Sequence, residues 1–171
     1  GLPIVMLPGN HDPAVPESVY RRGVSKPSNV HVLGVTHPEA VVFPEWELEV
    51  WGHAHYDYGN MAPLQRPRGR STRWQIAMAH GHYDGPSDPT AVNRPSWLIS
   101  DDELVATGAD YVALGHWNRA IQVGTGPVKA YYSGSPELAG TVNVIRLAAD
   151  GSVEVAREPI RGDVRREVGF E

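Results

Sequence analysis

The sequence contains no cysteine in 171 residues. This absence excludes a disulfide scaffold, a thiolate metal site and a cysteine nucleophile. Any metal must therefore be bound by His, Asp, Glu, Asn or backbone oxygen, and eight histidines are a generous supply. The sequence also lacks a signal-peptide pattern and any apolar run near the ~20 residues that span a bilayer. We therefore expect a cytoplasmic protein with no membrane partner.

Positive charge is also scarce. Fifteen Lys and Arg against 20 Asp and Glu give a net charge of −5 and a pI near 5.9. This balance argues against a protein that coats nucleic acid by bulk positive charge, although it allows an enzyme with a local basic groove or a metal. The composition, 41% hydrophobic and 20% charged, is that of a globular protein. The length fits one domain over residues 1–171.

Short apolar runs between glycines and prolines predict many short elements rather than a helical bundle. A short helix is predicted at 16–23, and the capping box Ser100-Asp101-Asp102-Glu103 predicts another that ends near Gly108. Long loops are expected at 59–72 and 84–96. The order of elements indicates an α/β or α+β fold. The predicted strands are 3–7, 30–33, 40–43, 47–51, 74–79, 111–114, 128–132, 141–147 and 153–157.

Three segments share one design, in which an apolar strand ends in a turn that holds glycine and histidine. They are Gly9-Asn10-His11-Asp12, His80-Gly81 and Gly115-His116. Loops at the carboxyl ends of strands are where such folds place ligands, and imidazole and amide oxygen both bind metals. A single His after a strand is commonly a solvated turn residue. The threefold recurrence favours a functional site.

These turns stand in an order that resembles the calcineurin-like metallophosphoesterases from residue 1 to about 137. The segment Tyr131-Tyr132-Ser133-Gly134-Ser135-Pro136-Glu137 is similar to one in their exonuclease branch, the nuclease subunits of double-strand-break repair complexes and their bacterial relatives. The resemblance implies an α/β fold, a four-layer α-β-β-α sandwich. It also implies hydrolysis of a phosphomonoester or phosphodiester by metal-activated water, with DNA as a candidate substrate.

The resemblance also implies a two-metal centre. Asn10, His80 and His116 would bind one of two divalent metals, Mn²⁺ first, with Fe, Zn or Mg as alternatives. The last motif of the family is Gly-His-x-His, and its final His binds the other metal. This sequence has Asn118 in that place. An amide oxygen can still bind a metal, but more weakly than imidazole.

The catalytic residues follow from the same resemblance. His11 would stabilise the transition state or protonate the leaving oxygen, and Asp12 would accept a hydrogen bond from His11 and fix its tautomer. Trp117 stands between His116 and Asn118 and is therefore best placed to contact the substrate, and Arg119 is the other expected substrate-binding residue. The implied partners are a phosphoester, DNA among them, and a second copy of the chain or another subunit.

Two motifs of the family are absent from this sequence. The family begins with Asp-x-His and Gly-Asp, whose aspartate bridges the metals, and only eight residues precede Gly9. We therefore expect the sequence to be the C-terminal portion of the domain, incomplete at its N-terminus, with little phosphodiesterase activity of its own. The alternative is a degenerate, non-catalytic binding domain that retains part of the metal site.

Two further features have competing interpretations. Gly52-His53-Ala54-His55 matches Gly-His-x-His better than 115–118 does, but it precedes His80, so we interpret both histidines as half-exposed turn residues. The alternative is a one-metal site of His53, His55, His80 and His82. In the interpretation that we favour, His82 lies at the rim of the site that contains His80. An Arg-rich loop precedes Trp74 and could contact a phosphate backbone, but we favour a solvated loop. Its arginines are Arg66, Arg68, Arg70 and Arg73.

Overall fold

The computed structural model describes residues 1–23, 27–57, 60–86 and 95–160. The strands are β1 Ile4–Met6, β2 Val30–Val32, β3 Ala40–Phe43, β4 Leu48–Gly52, β5 Trp74–His80, β6 His82–Gly85, β7 Leu98–Ser100, β8 Tyr111–Gly115, β9 Ile121–Val123, β10 Lys129–Tyr132, β11 Thr141–Leu147 and β12 Val153–Pro159. The helices are α1 Asp101–Ala106 and α2 Pro136–Ala139, with 3-10 turns at Val19–Arg22 and Pro44–Trp46.

One six-stranded sheet carries the fold, with the strand order β3-β4-β5-β8-β10-β9. Its four inner strands, β4, β5, β8 and β10, run parallel, and the two outer strands run antiparallel to their neighbours. The remaining strands form two-stranded sheets, β1-β2 and β6-β7 in parallel and β11-β12 in antiparallel pairing. The carboxyl ends of the four inner strands therefore lie at one edge of the main sheet.

The two faces of this sheet pack against different parts of the chain, because side chains alternate along a strand. On one face, Trp51, Ala77 and Val112 are fully buried in the larger core together with Leu64 and Ile99. The other face is covered in part by β1. The smaller core on that face contains Val41, Phe43 and Val50, with Val5, Leu48, Ile76 and Met78 packed against it.

The predicted four-layer α-β-β-α sandwich is wrong. The fold is mostly β, with 39% strand and 12% helix, so the α/β class is also wrong. The predicted helical layers are missing from the described residues because the helices are short: α1 has six residues and α2 has four. The capping box at Ser100 does start α1, but the chain leaves the helix at Thr107 and Gly108, whose φ is +57°. Helices this short cannot form a layer over a six-stranded sheet.

The predicted strands all have counterparts in the structure, with bounds that differ by a few residues at most. The structure adds β6, β7 and β9, which lack a strong apolar pattern and form through pairing with distant segments. The helix predicted at 16–23 is only a 3-10 turn. Residues 87–94 of the predicted loop at 84–96 lie outside the described residues. No helix in the described ranges is long and apolar enough to cross a membrane.

Candidate functional site

The turns that follow β1, β4, β5 and β8 meet at the carboxyl edge of the main sheet. Together they surround a cavity of about 250 Å³. Three of the predicted metal ligands, Asn10, His80 and His116, line this cavity. The remaining lining residues are His55, Met61, Gly81 and Trp97. The sheet therefore brings together side chains that lie far apart in the sequence.

His80 is the centre of the site. Its position on β5 has the same parity as Ile76 and Met78, so it lies on the face that β1 covers. The Nε2 atom of His80 lies 2.7 Å from Asn10 Oδ1. This contact is a hydrogen bond, and because an amide oxygen only accepts, the ring carries its hydrogen on Nε2 and donates it to Asn10. The two atoms that a cation would bind are therefore already in contact, and a bound cation would take the place of the hydrogen between them.

Two glycines make room for the His80 ring. A Cβ atom at Gly9 would lie 2.6 Å from His80 Cε1, and one at Gly115 would lie 3.0 Å from His80 Nδ1. The first distance is shorter than real Cβ contacts allow, so the absence of a side chain at Gly9 is required by the packing. Gly115 is the β8 partner of His80 in the sheet register. The glycines of both motifs therefore position the histidine between the two turns.

The site keeps His80 uncharged. Burial, and to a smaller extent the nearby imidazoles of His55 and His116, lower the pKa of His80 to about 4, against an opposing effect of Asp12. The pKa of His116 is also lowered, by burial and by the imidazoles of His82 and His11. Neutral imidazole is the form that binds metals. Both rings are therefore in the metal-binding form at neutral pH.

His116 approaches this pair with a strained backbone. Its φ is +118°, a conformation that a residue with a side chain rarely adopts and that occurs preferentially at functional sites. Its ring centroid lies 5.4 Å from that of His80 and 6.0 Å from that of His82. In the described part of the chain, no three His, Asp or Glu side chains are already placed to hold a metal. Asn10 and His80 are thus paired, and the exposed His116 lies beside them.

The other predicted metal ligand, Asn118, is not part of this cluster. It is exposed and lines a separate cavity with Arg119 and Arg157. Trp117 is stacked on Tyr132, with ring centroids 4.6 Å apart, and the Arg119 guanidinium lies 4.9 Å from the Trp117 ring. The structure therefore separates Asn118 from the Asn10–His80 pair.

His82 occupies the rim of the site. Its Nδ1 accepts a hydrogen bond of 2.9 Å from Trp117 Nε1. Indole N–H is only a donor, so Nδ1 of His82 must be unprotonated and Nε2 carries the hydrogen. The rim position matches the expectation for His82, and it gives Trp117 a role in fixing a histidine tautomer.

Asp12 has different partners from those expected. Its Oδ1 accepts a hydrogen bond of 3.0 Å from the Gly9 amide, and its Oδ2 accepts one from the Tyr20 hydroxyl. Among the described residues, no hydrogen bond joins His11 to Asp12. Burial raises the pKa of Tyr20, and the bond to Asp12 adds to this effect. Asp12 therefore holds the turn in shape, and His11 is exposed beside the cavity.

His55 belongs to the site, and the prediction that it is a half-exposed turn residue is wrong. It is 1% exposed, and its Nε2 donates a hydrogen bond of 2.7 Å to the His80 carbonyl. Its backbone amide donates to the Pro8 carbonyl (3.2 Å), and its carbonyl accepts from the Ala14 amide (2.7 Å). His55 thus ties the turn that carries Asn10 to the end of β5. The sequence signal was its place just after the parallel strand β4.

His53, two residues earlier, lies in a different environment. Its Nε2 donates to the Arg66 carbonyl at 3.2 Å, and its Nδ1 lies 3.5 Å from Glu39 Oε1. It lines a second cavity rather than the one that contains His80. The four histidines of the alternative one-metal site, at 53, 55, 80 and 82, therefore do not share one cavity wall.

The comparisons with known proteins add no assignment. No protein-family model matches the sequence, and no curated protein matches it. The function must therefore be inferred from the geometry of the site.

Proposed function

We propose that the chain is a metallophosphoesterase-type domain that binds one divalent cation through Asn10, His80 and His116 and uses it to bind and hydrolyse a phosphoester. The observation that supports this most is the Asn10–His80 pair, 2.7 Å apart at a cavity that His116 also lines. The low pKa of His80 adds to it, because the ring is neutral without a metal. The donor set of one amide oxygen and two imidazoles suits Mn²⁺, Fe²⁺ or Zn²⁺.

The residues around the pair have distinct tasks in this proposal. When bound, the cation would neutralise phosphoryl oxygens and lower the pKa of water. His11 is exposed and close enough to lower the pKa of both His80 and His116 through its charge, so it can donate a hydrogen bond to a phosphoester in the same place. Asp12 holds the turn from which His11 projects, through its bonds to Gly9 and Tyr20.

The geometry favours one cation for this chain rather than two. A second metal needs a bridging carboxylate, and Asp12, in the same turn as Asn10, already accepts hydrogen bonds from Gly9 and Tyr20. Asn118, the expected ligand of the second metal, lines a separate cavity. We therefore infer one cation per chain and slow hydrolysis at most.

A calorimetric titration with Mn²⁺ tests the metal site. We expect one bound cation, and an affinity at least about 10-fold lower in His80→Ala and Asn10→Ala because each variant loses a direct ligand. His37→Ala is the matched control, since His37 bonds to Thr36 and does not line the cavity. Inorganic phosphate should then bind only in the presence of Mn²⁺. Wild-type affinity in His80→Ala would contradict the proposal.

A second candidate is a non-catalytic domain that binds a cation and a phosphate without hydrolysis. The position of Asn118 away from the pair favours it, because no second metal is then supported. A hydrolysis assay with bis(p-nitrophenyl) phosphate and Mn²⁺ separates the two. Turnover that disappears in His11→Ala assigns an enzyme, and Mn²⁺-dependent phosphate binding without turnover assigns the binding domain.

A further inference from the structure

The Arg-rich loop before β5 is mostly engaged with the rest of the fold. Arg68 donates to the buried carboxylate of Glu49 at 3.1 Å. Arg70 forms an ion pair of 2.7 Å with a carboxylate just ahead of β8. Arg73 donates to a backbone carbonyl in the turn between β11 and β12. The guanidinium of Arg66 differs, because it forms no hydrogen bond or ion pair with any part of the chain that the structure describes.

Arg66 lines a cavity of about 540 Å³ beside the candidate metal site. Met61 lines both cavities, and Ala54, next to His55 in the chain, lines the larger one. The amide side chains of Asn60 and Gln65 also line it. The volume is within the range of small-molecule sites. We name this space the Arg66 cavity.

Backbone strain in the described residues is concentrated around these two cavities. Four residues other than glycine have positive φ: Glu47, Ala62, Arg66 and His116. Ala62 and Arg66 line the Arg66 cavity, and His116 lines the other. Such conformations are costly in energy and persist preferentially at binding and catalytic sites. The His53 side chain stabilises the conformation of Arg66 through a hydrogen bond to its carbonyl.

We propose that the Arg66 cavity binds a second phosphate of the substrate whose first phosphate lies at the Asn10–His80 pair. This inference rests on the proposed function. An unpaired guanidinium matches a phosphate with two parallel hydrogen bonds, and neighbouring amides add neutral donors. Among the described residues that line the cavity, Glu39 is the one carboxylate, and its Oε1 lies 3.5 Å from His53 Nδ1. The substrate class is therefore a compound with two linked phosphates, such as a nucleotide chain or a nucleoside bisphosphate.

Binding of matched nucleotides to the Mn²⁺-loaded chain tests this proposal. The probes are thymidine monophosphate, thymidine bisphosphate with one phosphate on each hydroxyl, and phosphorylated dithymidine, whose second phosphate is a diester. We expect wild type to bind the two-phosphate probes about 10-fold more tightly than thymidine monophosphate, which is the gain expected from one additional charge-assisted hydrogen bond. A preference for dithymidine assigns the cavity to a nucleotide chain, and a preference for the bisphosphate alone assigns it to a terminal phosphate.

Variants of Arg66 locate the effect. Arg66→Ala should abolish the preference and leave the affinity for the monophosphate unchanged, and Arg66→Lys should keep part of it because the charge remains without the planar fork. Arg146→Ala, an exposed arginine on the separate β11-β12 sheet that lines neither cavity, removes the same charge and should change nothing. A preference that persists in Arg66→Ala, or its absence in wild type, overturns the proposal. Monophosphate binding that does not need Mn²⁺ would instead contradict the proposed function.

Discussion

The hydrogen bond from His55 to the His80 carbonyl offers a sharp test of how the site is built. We expect His55→Ala to lower the Mn²⁺ affinity by about 10- to 100-fold, the usual cost of losing a residue that orients a metal ligand. The physical reason is that His55 joins the two halves of the Asn10–His80 pair. Its ring holds the end of β5, and its backbone bonds to Pro8 and Ala14 on either side of the Asn10 turn. Loss of this buried bond should also cost about 1–3 kcal/mol of stability.

Two further substitutions at His55 separate positioning from simple packing. Glutamine places its amide nitrogen near the position of the imidazole Nε2, so His55→Gln can still donate to the His80 carbonyl. Asparagine reaches only the position of Nδ1, an atom with no hydrogen-bond partner in the structure. We therefore expect His55→Gln to retain most of the wild-type affinity and His55→Asn to resemble His55→Ala.

Mn²⁺ calorimetry and the visible absorption of the Co²⁺-loaded protein are the assays for this series. The Co²⁺ spectrum reports the geometry of the ligands, which a general loss of stability does not alter in the folded fraction. His53→Ala is the matched control, because His53 is two residues away and lines the other cavity. Wild-type Mn²⁺ affinity in His55→Ala, or equal losses in the Gln and Ala variants, would refute this role for His55.

Three other predictions concern the glycine, the buried carboxylate and the pH dependence. Gly9→Ala should displace the His80 ring and weaken Mn²⁺ binding in calorimetry. The control Gly69→Ala, which has no atom within 4 Å of its Cβ position, should bind Mn²⁺ like wild type. Equal Mn²⁺ affinities in the two variants would count against the packing argument. Glu49→Gln should destabilise the fold by about 3 kcal/mol in urea unfolding, because the buried carboxylate accepts hydrogen bonds from Arg68, Ser71 and Gln75. The control Glu47→Gln, at an exposed position, should have no effect. An unchanged unfolding midpoint in Glu49→Gln would contradict this prediction. The free energy of unfolding of the metal-free protein should fall by up to about 3 kcal/mol as the pH drops from about 6.5 to about 4. The reason is that burial lowers the pKa of His80, so the unfolded chain takes up the proton first. If the same dependence on pH persists in His80→Gln, another group causes it.

The sign of the pH effect follows from the direction of the shift. Above the unfolded pKa of about 6.5 the imidazole is neutral in both states and contributes nothing. Below it, the unfolded chain binds a proton that the folded protein does not, so stability decreases until the folded pKa of about 4. Bound metal should steepen this dependence, because only the neutral ring is a ligand.

The sequence predicted the strands and the meeting of their turns better than it predicted the layers. Apolar runs between Gly and Pro identify β5 and β8, and parallel strands place His80 and His116 at the same edge of a sheet. The helical layers were inferred from the family resemblance and not from any helical period. The helices that the chain does form are too short for such layers.

The burial of His55 could not be predicted from local sequence. His53 and His55 stand in the same Gly-His-Ala-His segment, yet one lines the Arg66 cavity and the other is fully buried. The difference comes from long-range bonds of His55 to Pro8, Ala14 and His80, which depend on how β1 packs against the main sheet. The partners of Arg68, Arg70 and Arg73 depend on tertiary structure in the same way.

The most direct test of the metal site is anomalous diffraction from crystals of the chain grown with Mn²⁺. The proposal predicts one strong peak in the cavity, in contact with Asn10 Oδ1 and His80 Nε2 and with the His116 ring turned toward it. A peak elsewhere, or no peak at a Mn²⁺ concentration that saturates calorimetric binding, would contradict it.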